Sequence, residues 1–68
     1  MFTIYRHPRD YPGGYTITEW ESDRGRVERV GRLADTDSLE HARALIPAGM
    51  QRLDRHPDDD AVIVETWI

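Results

Sequence analysis

The chain has 68 residues, a formal net charge of −4, and neither cysteine, lysine nor asparagine. That length supports one small domain, residues 1–68, with a marginal core. The missing residue types exclude a disulfide, a thiolate zinc site, a thiol nucleophile, a Schiff-base lysine and a phosphate-loop lysine.

The charge is unevenly placed. Residues 1–34 carry six arginines against five acids, and residues 35–68 carry three against eight. So acidic a second half argues against general binding to a phosphate backbone, which needs clustered positive charge. All nine basic residues are arginine, the bias of a GC-rich genome. The opening Met1-Phe2-Thr3-Ile4-Tyr5 has no basic flank and no long apolar run. No signal peptide or membrane-crossing helix is therefore predicted, and the cytoplasm is the expected location.

In chain order, Phe2 to Arg6 alternates and is rich in strand formers, and His7-Pro8 stops it. Arg9 to Gly14 is turn chemistry, because proline fixes φ and glycine admits positive φ. Tyr15 to Glu21 alternates again, with Tyr15, Ile17 and Glu19 on one side and Thr16, Thr18 and Trp20 on the other. Ser22-Asp23-Arg24-Gly25 reads as a hairpin turn. Arg26 to Leu33 is a third, weaker strand carried by Val27, Val30 and Leu33 and interrupted by Gly31.

Asp37-Ser38-Leu39-Glu40 has the form of a capping box with Asp37 as N-cap. Leu39, Ala42, Leu45 and Ile46 follow at helical spacing, and Pro47 and Gly49 end a helix of about two and a half turns. Such a helix needs packing to persist. Met50 to Arg55 is a candidate fourth strand. Asp58-Asp59-Asp60 forms a loop, and Ala61 to Ile68 is the clearest strand of all. Its nearly continuous apolar run predicts a central strand buried on both faces.

The fold class expected is α+β: a small antiparallel sheet of four to five strands with one short helix on one face, ordered β-β-β-α-β-β. A sheet of that size is roughly 20 Å across, and one helix covers about 10–12 Å of it. The opposite face is left with Tyr5, Trp20 and either Trp67 or Ile68. Aromatics and arginines on an open sheet face are what interfaces are enriched in. The competing reading is a second mini-core under the Tyr11-Pro12 loop.

Candidate chemistry is sparse. The pentapeptide Arg-His-Pro-x-Asp occurs twice, at Arg6 to Asp10 and at Arg55 to Asp59. His7, His56, Asp10 and one of Asp58, Asp59 or Asp60 would make a divalent-metal set if both turns share an end of the sheet. Strands one and four running parallel would meet that condition. Proline also explains both copies as strand-ending turns. Ser38 and His41 are helical neighbours, and Glu19 and Glu21 share a strand face, but neither pair implies a pocket. No enzyme activity and no cofactor are expected. Arg24, Arg26, Arg29 and Arg32 suggest a nucleic-acid surface with stacking aromatics. The acids among them, Glu19, Glu21, Asp23 and Glu28, suggest cross-strand ion pairs instead. Asp35, Asp37, Glu40, Asp54 and Asp58 to Asp60 would suit an acidic imitator of nucleic acid.

The segments Asp10 to Tyr15, Ser38 to Pro47 and His56 to Trp67 together resemble short uncharacterised proteins of GC-rich proteobacteria and their phages. The resemblance implies a small cytoplasmic accessory protein of phage or prophage context, and it brings no catalytic residues. Phage-encoded inhibitors such as anti-CRISPR proteins share this size and acidity. The function expected is protein binding, by a partner or by a second copy, through Tyr5, Trp20 and Trp67 as anchors with Arg6 at the rim.

Overall fold

The computed structural model describes all 68 residues. Strands form where the sequence alternates: β1 (Phe2–Arg6), β2 (Tyr15–Asp23), β3 (Arg26–Thr36), then α1 (Leu39–Ala44), β4 (Arg52–Asp54) and β5 (Ile63–Trp67). They make one five-stranded sheet in the order β3-β2-β1-β5-β4, antiparallel at every pairing. No helix is long and apolar enough to cross a membrane.

The turns follow their local chemistry. Arg24 and Gly25 both take positive φ, 52° and 79°, as a two-residue hairpin of the right twist requires. Gly14 is fixed by contact rather than by φ. A Cβ there would collide with the Thr36 carbonyl and the Tyr11 ring, so its missing side chain lets the 7–14 loop close on the end of β3.

The core is small: Ile4 and Ile17, paired across β1 and β2, meet Ala42 and Ile46 from the helical segment. Phe2, Tyr15, Leu39, Met50, Val64 and Trp67 pack around them. Each buried isoleucine contributes roughly 1.5–3 kcal/mol, so four core side chains leave little margin.

The helix is shorter than its spacing predicts. It runs six residues, about 1.7 turns, and Leu45 and Ile46 close it by donating to Ala42 and Arg43 at 3.2 Å. Its N-cap is Ser38, not Asp37: the Ser38 hydroxyl accepts from the His41 N–H at 3.0 Å. Asp37 is taken by a longer-range partner, accepting the Tyr11 hydroxyl at 2.8 Å. Leu45, one of the four residues at helical spacing, stays 41% exposed.

Two strand expectations are corrected. β5 lies between β1 and the three-residue β4, and only Glu65 in it is fully buried. The neighbour is too short to cover it, and β1 is the central strand instead. In β3 the three apolar residues that mark the strand are all exposed: Val27 58%, Val30 53% and Leu33 46%. The register shifts twice against β2, leaving Val30 and Leu33 as unpaired extra residues. Bulges of this kind break the alternation on which an inward apolar face depends.

Candidate functional site

Register divides the side chains between two surfaces. Phe2, Ile4 and Arg6 of β1 share a face with Glu19, Ile17 and Tyr15 of β2, because directly paired residues point the same way. This Ile4 face receives Ala42 and Ile46. Thr3 and Tyr5 share the other face with Thr18 and Thr16, and Trp20 continues it opposite Arg29 of β3.

The Tyr5 face is floored by threonine. Thr3, Thr16 and Thr18 are only 6%, 4% and 5% exposed, although the core helix packs on Ile4 and Ile17. Two features share this face with them. Trp20 pairs with Met1 beyond the start of β1, while Tyr5 lies near the other end of that strand, and the indole acts on the Tyr5 hydroxyl. The second feature is an ionic strap. Arg32 joins Asp10 of the 7–14 loop to Asp35, and Asp35 accepts the Thr16 hydroxyl at 2.9 Å.

One polar atom in this arrangement lacks a partner. Trp20 Nε1 is buried, and no acceptor, the Tyr5 oxygen included, meets it at hydrogen-bond geometry. A buried donor left unpaired costs about 1–3 kcal/mol. Burial pushes the Tyr5 phenol above its ordinary 10.0, with Arg29 and the Trp20 indole opposing the shift and Asp60 adding to it.

The four residues marked by sequence do not converge. Tyr5 and Trp20 come together, but Arg6 and Trp67 belong to the Ile4 face, where Arg6 pairs with Tyr15 and Trp67 with Phe2. An extra residue in β5, Val64 between the partners of Ile4 and Tyr5, sets this phase. Ile68, the alternative to Trp67, continues onto the Tyr5 face at 52% exposure. The arginine beside the aromatic pair is Arg29, not Arg6.

Trp67 instead completes a network that the sequence does not announce. Glu65 is 2% exposed and is gripped by both arms of the Arg43 guanidinium, Nε to Oε2 at 3.1 Å and Nη2 to Oε1 at 2.7 Å. The Trp67 indole donates to the same carboxylate at 2.7 Å. Burial alone would raise the Glu65 carboxyl, but the donors from Arg43 and Trp67 outweigh it and hold it below its ordinary 4.5. The bidentate pair fastens α1 to β5. A charged residue in an apolar strand is the one available signal, since its partner lies 22 residues away.

The histidines share an end of the sheet, because β1 and β4 both run antiparallel to the β5 between them. They are nonetheless two strand spacings apart, roughly 10 Å, and each is occupied locally. His7 Nδ1 lies 3.0 Å from the Pro12 carbonyl, and its ring tilts against Tyr15. His56 Nδ1 accepts the Asp58 N–H at 3.1 Å. No three His, Asp or Glu side chains gather as a metal site, and no pocket opens in the surface.

Ser38 spends its hydroxyl on the cap of His41. The cross-strand ion pairs expected in the β2–β3 hairpin are absent as well. Arg32 alone of its four arginines is paired, and Glu21 stands directly opposite Glu28. Strands β2 and β3 carry this hairpin past the start of β1, so these charges lie on a projecting arm.

Comparison with protein-family models, with curated proteins and with solved structures finds no match to this chain.

Proposed function

We propose that the protein is a non-enzymatic binding module that engages a protein partner through the Tyr5 face of its sheet. The observation that carries this reading is that Tyr5 and Trp20, both half-buried, share the sheet face opposite the Ile4 core. Aromatic anchors with polar handles recur where surfaces become buried on binding. The side chains of the helical segment that reach the sheet meet Ile4, Ile17 and Glu65. That supports α1 occupying one face only, with the other left to a partner. Exposed apolar residues lie around the aromatic pair on the same face: Val27 opposite Ser22, Leu53 opposite Thr66, and Ile68. The anchors in this reading are Tyr5 and Trp20, and Arg29 rather than Arg6 takes the rim position.

A face-specific capture experiment tests it. Immobilised wild-type chain retains a partner from cytoplasmic extract, and Trp20→Ala with unchanged circular dichroism loses it. Glu21→Ala, on the Ile4 side of the arm, keeps it. Retention by Trp20→Ala would refute the role of this face.

One observation favours a second reading. Glu19, Glu21 and Asp23 line one side of the arm, with Glu28 directly across from Glu21 and no arginine bridging them. An acidic row of this kind suits a nucleic-acid mimic that occupies the basic cleft of an enzyme. There the Glu21→Ala bait, not the Trp20→Ala bait, loses the partner.

A further inference from the structure

The projecting arm is the least supported part of the sheet. β1 pairs β2 only from Tyr15 to Glu19, and Met1 adds a last contact at Trp20. Beyond that point residues 21–23 and 26–28 form a ribbon of two strands with no third neighbour. A two-stranded ribbon is marginal in water, and a further strand stabilises it.

Hydrogen-bond parity shows which backbone groups of the ribbon are open. Trp20 gives both its N–H and its C=O to Met1. It has none left for β3, so its partner Arg29 faces away from β2. Alternation then turns Arg26 and Glu28 inward, and turns Val27, opposite Ser22, outward. Val27 and Arg29 thus present open N–H and C=O groups on the outer edge of the sheet, while the other edge of the ribbon offers Ser22 alone. The ladder cannot run further along β3, which bulges at Val30 and again at Leu33. At the far side of the sheet β4 is only three residues long. Strand addition is therefore confined to the regular stretch from Arg26 to Arg29.

Charge selects the partner and the register. A two-fold axis that pairs this stretch antiparallel with its own copy must centre on one of its residues. Centring on Arg26, Glu28 or Arg29 sets that charge against itself, which is destabilising. Centring on Val27 sets valine against valine and each Arg26 against Glu28 of the other protomer. Arg26 and Glu28 are both exposed and in no ion pair, and within its own chain Glu28 faces Glu21.

We propose that the arm pairs with the arm of a second copy of this chain, β3 to β3 and antiparallel about Val27, joining two ribbons into one of four strands. The two Val27 residues exchange N–H···O bonds, and an Arg26–Glu28 pair flanks them on each side. Each arginine then lies between its own Asp23 and the other protomer's Glu28. This contact uses the edge of the arm, apart from the Tyr5–Trp20 pair, and does not depend on the binding reading above.

Sedimentation equilibrium of the full chain tests the proposal. The wild type is expected to form a dimer and no larger species, because a two-fold contact closes on itself. Val27→Pro weakens the dimer by at least about tenfold, since it removes both central donors. The fold survives it, because that N–H makes no bond within the chain and proline is tolerated at such edge positions. Glu28→Arg weakens the dimer by a similar factor, since two like-charge contacts replace two pairs. Within the chain it puts a cation opposite Glu21, so loss of the dimer cannot be ascribed to unfolding. Arg26→Glu combined with Glu28→Arg restores association. Circular dichroism of each variant confirms the fold. A wild type still monomeric at about 1 mM, the weak limit of specific association, overturns the proposal. So does a dimer that survives Val27→Pro or is indifferent to Glu28→Arg.

Discussion

The two faces of the sheet are built from the same five strands and solve burial in different ways. The Ile4 face is closed by apolar contact, with Ile4 and Ile17 at 0% exposure beneath Ala42 and Ile46. The floor of the Tyr5 face is threonine and nearly as buried, and it shares that face with Tyr5, Trp20 and an arginine strap. One face excludes water by packing helix on sheet. The other does so with side chains that keep polar ends and leave one of them, Trp20 Nε1, unsatisfied. Fold stability should therefore reside on the first face and recognition on the second, a division that substitutions can break.

The largest effect belongs to the Ile4 face. Ile17→Ala removes a fully buried side chain from a four-residue core and is expected to cost about 2–5 kcal/mol, because the cavity adds to the lost transfer energy. Urea unfolding followed by circular dichroism measures it. For a domain this small the variant is mostly unfolded at 37 °C. Thr18→Ala, one residue along and facing the other way, is expected to cost about 1 kcal/mol or less. Equal losses at the two positions would abolish the contrast between the faces.

Next comes the carboxylate that joins helix to sheet. Glu65→Gln keeps the shape but leaves Arg43 without its charge partner. The expected loss is about 1–3 kcal/mol, reduced from the fully buried case because the Arg43 side chain is 40% exposed. The pH dependence has a definite sign. The folded carboxyl sits below its ordinary 4.5, so its contribution is complete above that value and is lost as pH falls through the folded pKa. Wild type should lose stability on acidification in this window, and Glu65→Gln should lose less. Parallel pH profiles of melting temperature for the two proteins would remove Glu65 as the acid-sensitive group.

What is legible in the sequence depends on the range of the interactions. Element order is readable because turns are local: Pro8, Pro12-Gly13-Gly14, Gly25 and Pro47 each act on their own backbone. The sides of the sheet are readable in β1 and β2, where alternation is unbroken. They are not readable in β3 and β5, where Val30, Leu33 and Val64 each add a residue and shift the phase of the strand beyond it. That is why alternation alone cannot choose between Trp67 and Ile68, and why the anchor expected at Trp67 lies on the face away from Tyr5 and Trp20. The helix cap fails for a related reason. Asp37 and Ser38 are equally good N-caps by type, and the choice is made by Tyr11, 26 residues away. The repeated Arg-His-Pro-x-Asp reports topology correctly but not chemistry. Both copies end strands at one end of the sheet, yet β5 lies between them and each imidazole binds its own turn.

The smallest effect is the sharpest test of the comparison, because its sign runs against ordinary core logic. Trp20→Phe removes ring area but also removes the one enclosed donor that has no acceptor. Deleting an unsatisfied buried polar atom returns up to about 1 kcal/mol, which offsets the lost contact. The free chain should be unchanged or slightly more stable by urea unfolding, where a satisfied core tryptophan would cost several times more. If the Trp20 ring is an anchor for a partner, the same variant must weaken association while leaving the fold intact. Stability and binding then move in opposite directions at one residue. The core residues of the Ile4 face, Ile4, Ile17, Ala42 and Ile46, are buried in the single chain and cannot give that pattern. A Trp20→Phe chain that unfolds more easily and associates as well as the wild type would make the Tyr5 face a second core rather than a surface for recognition.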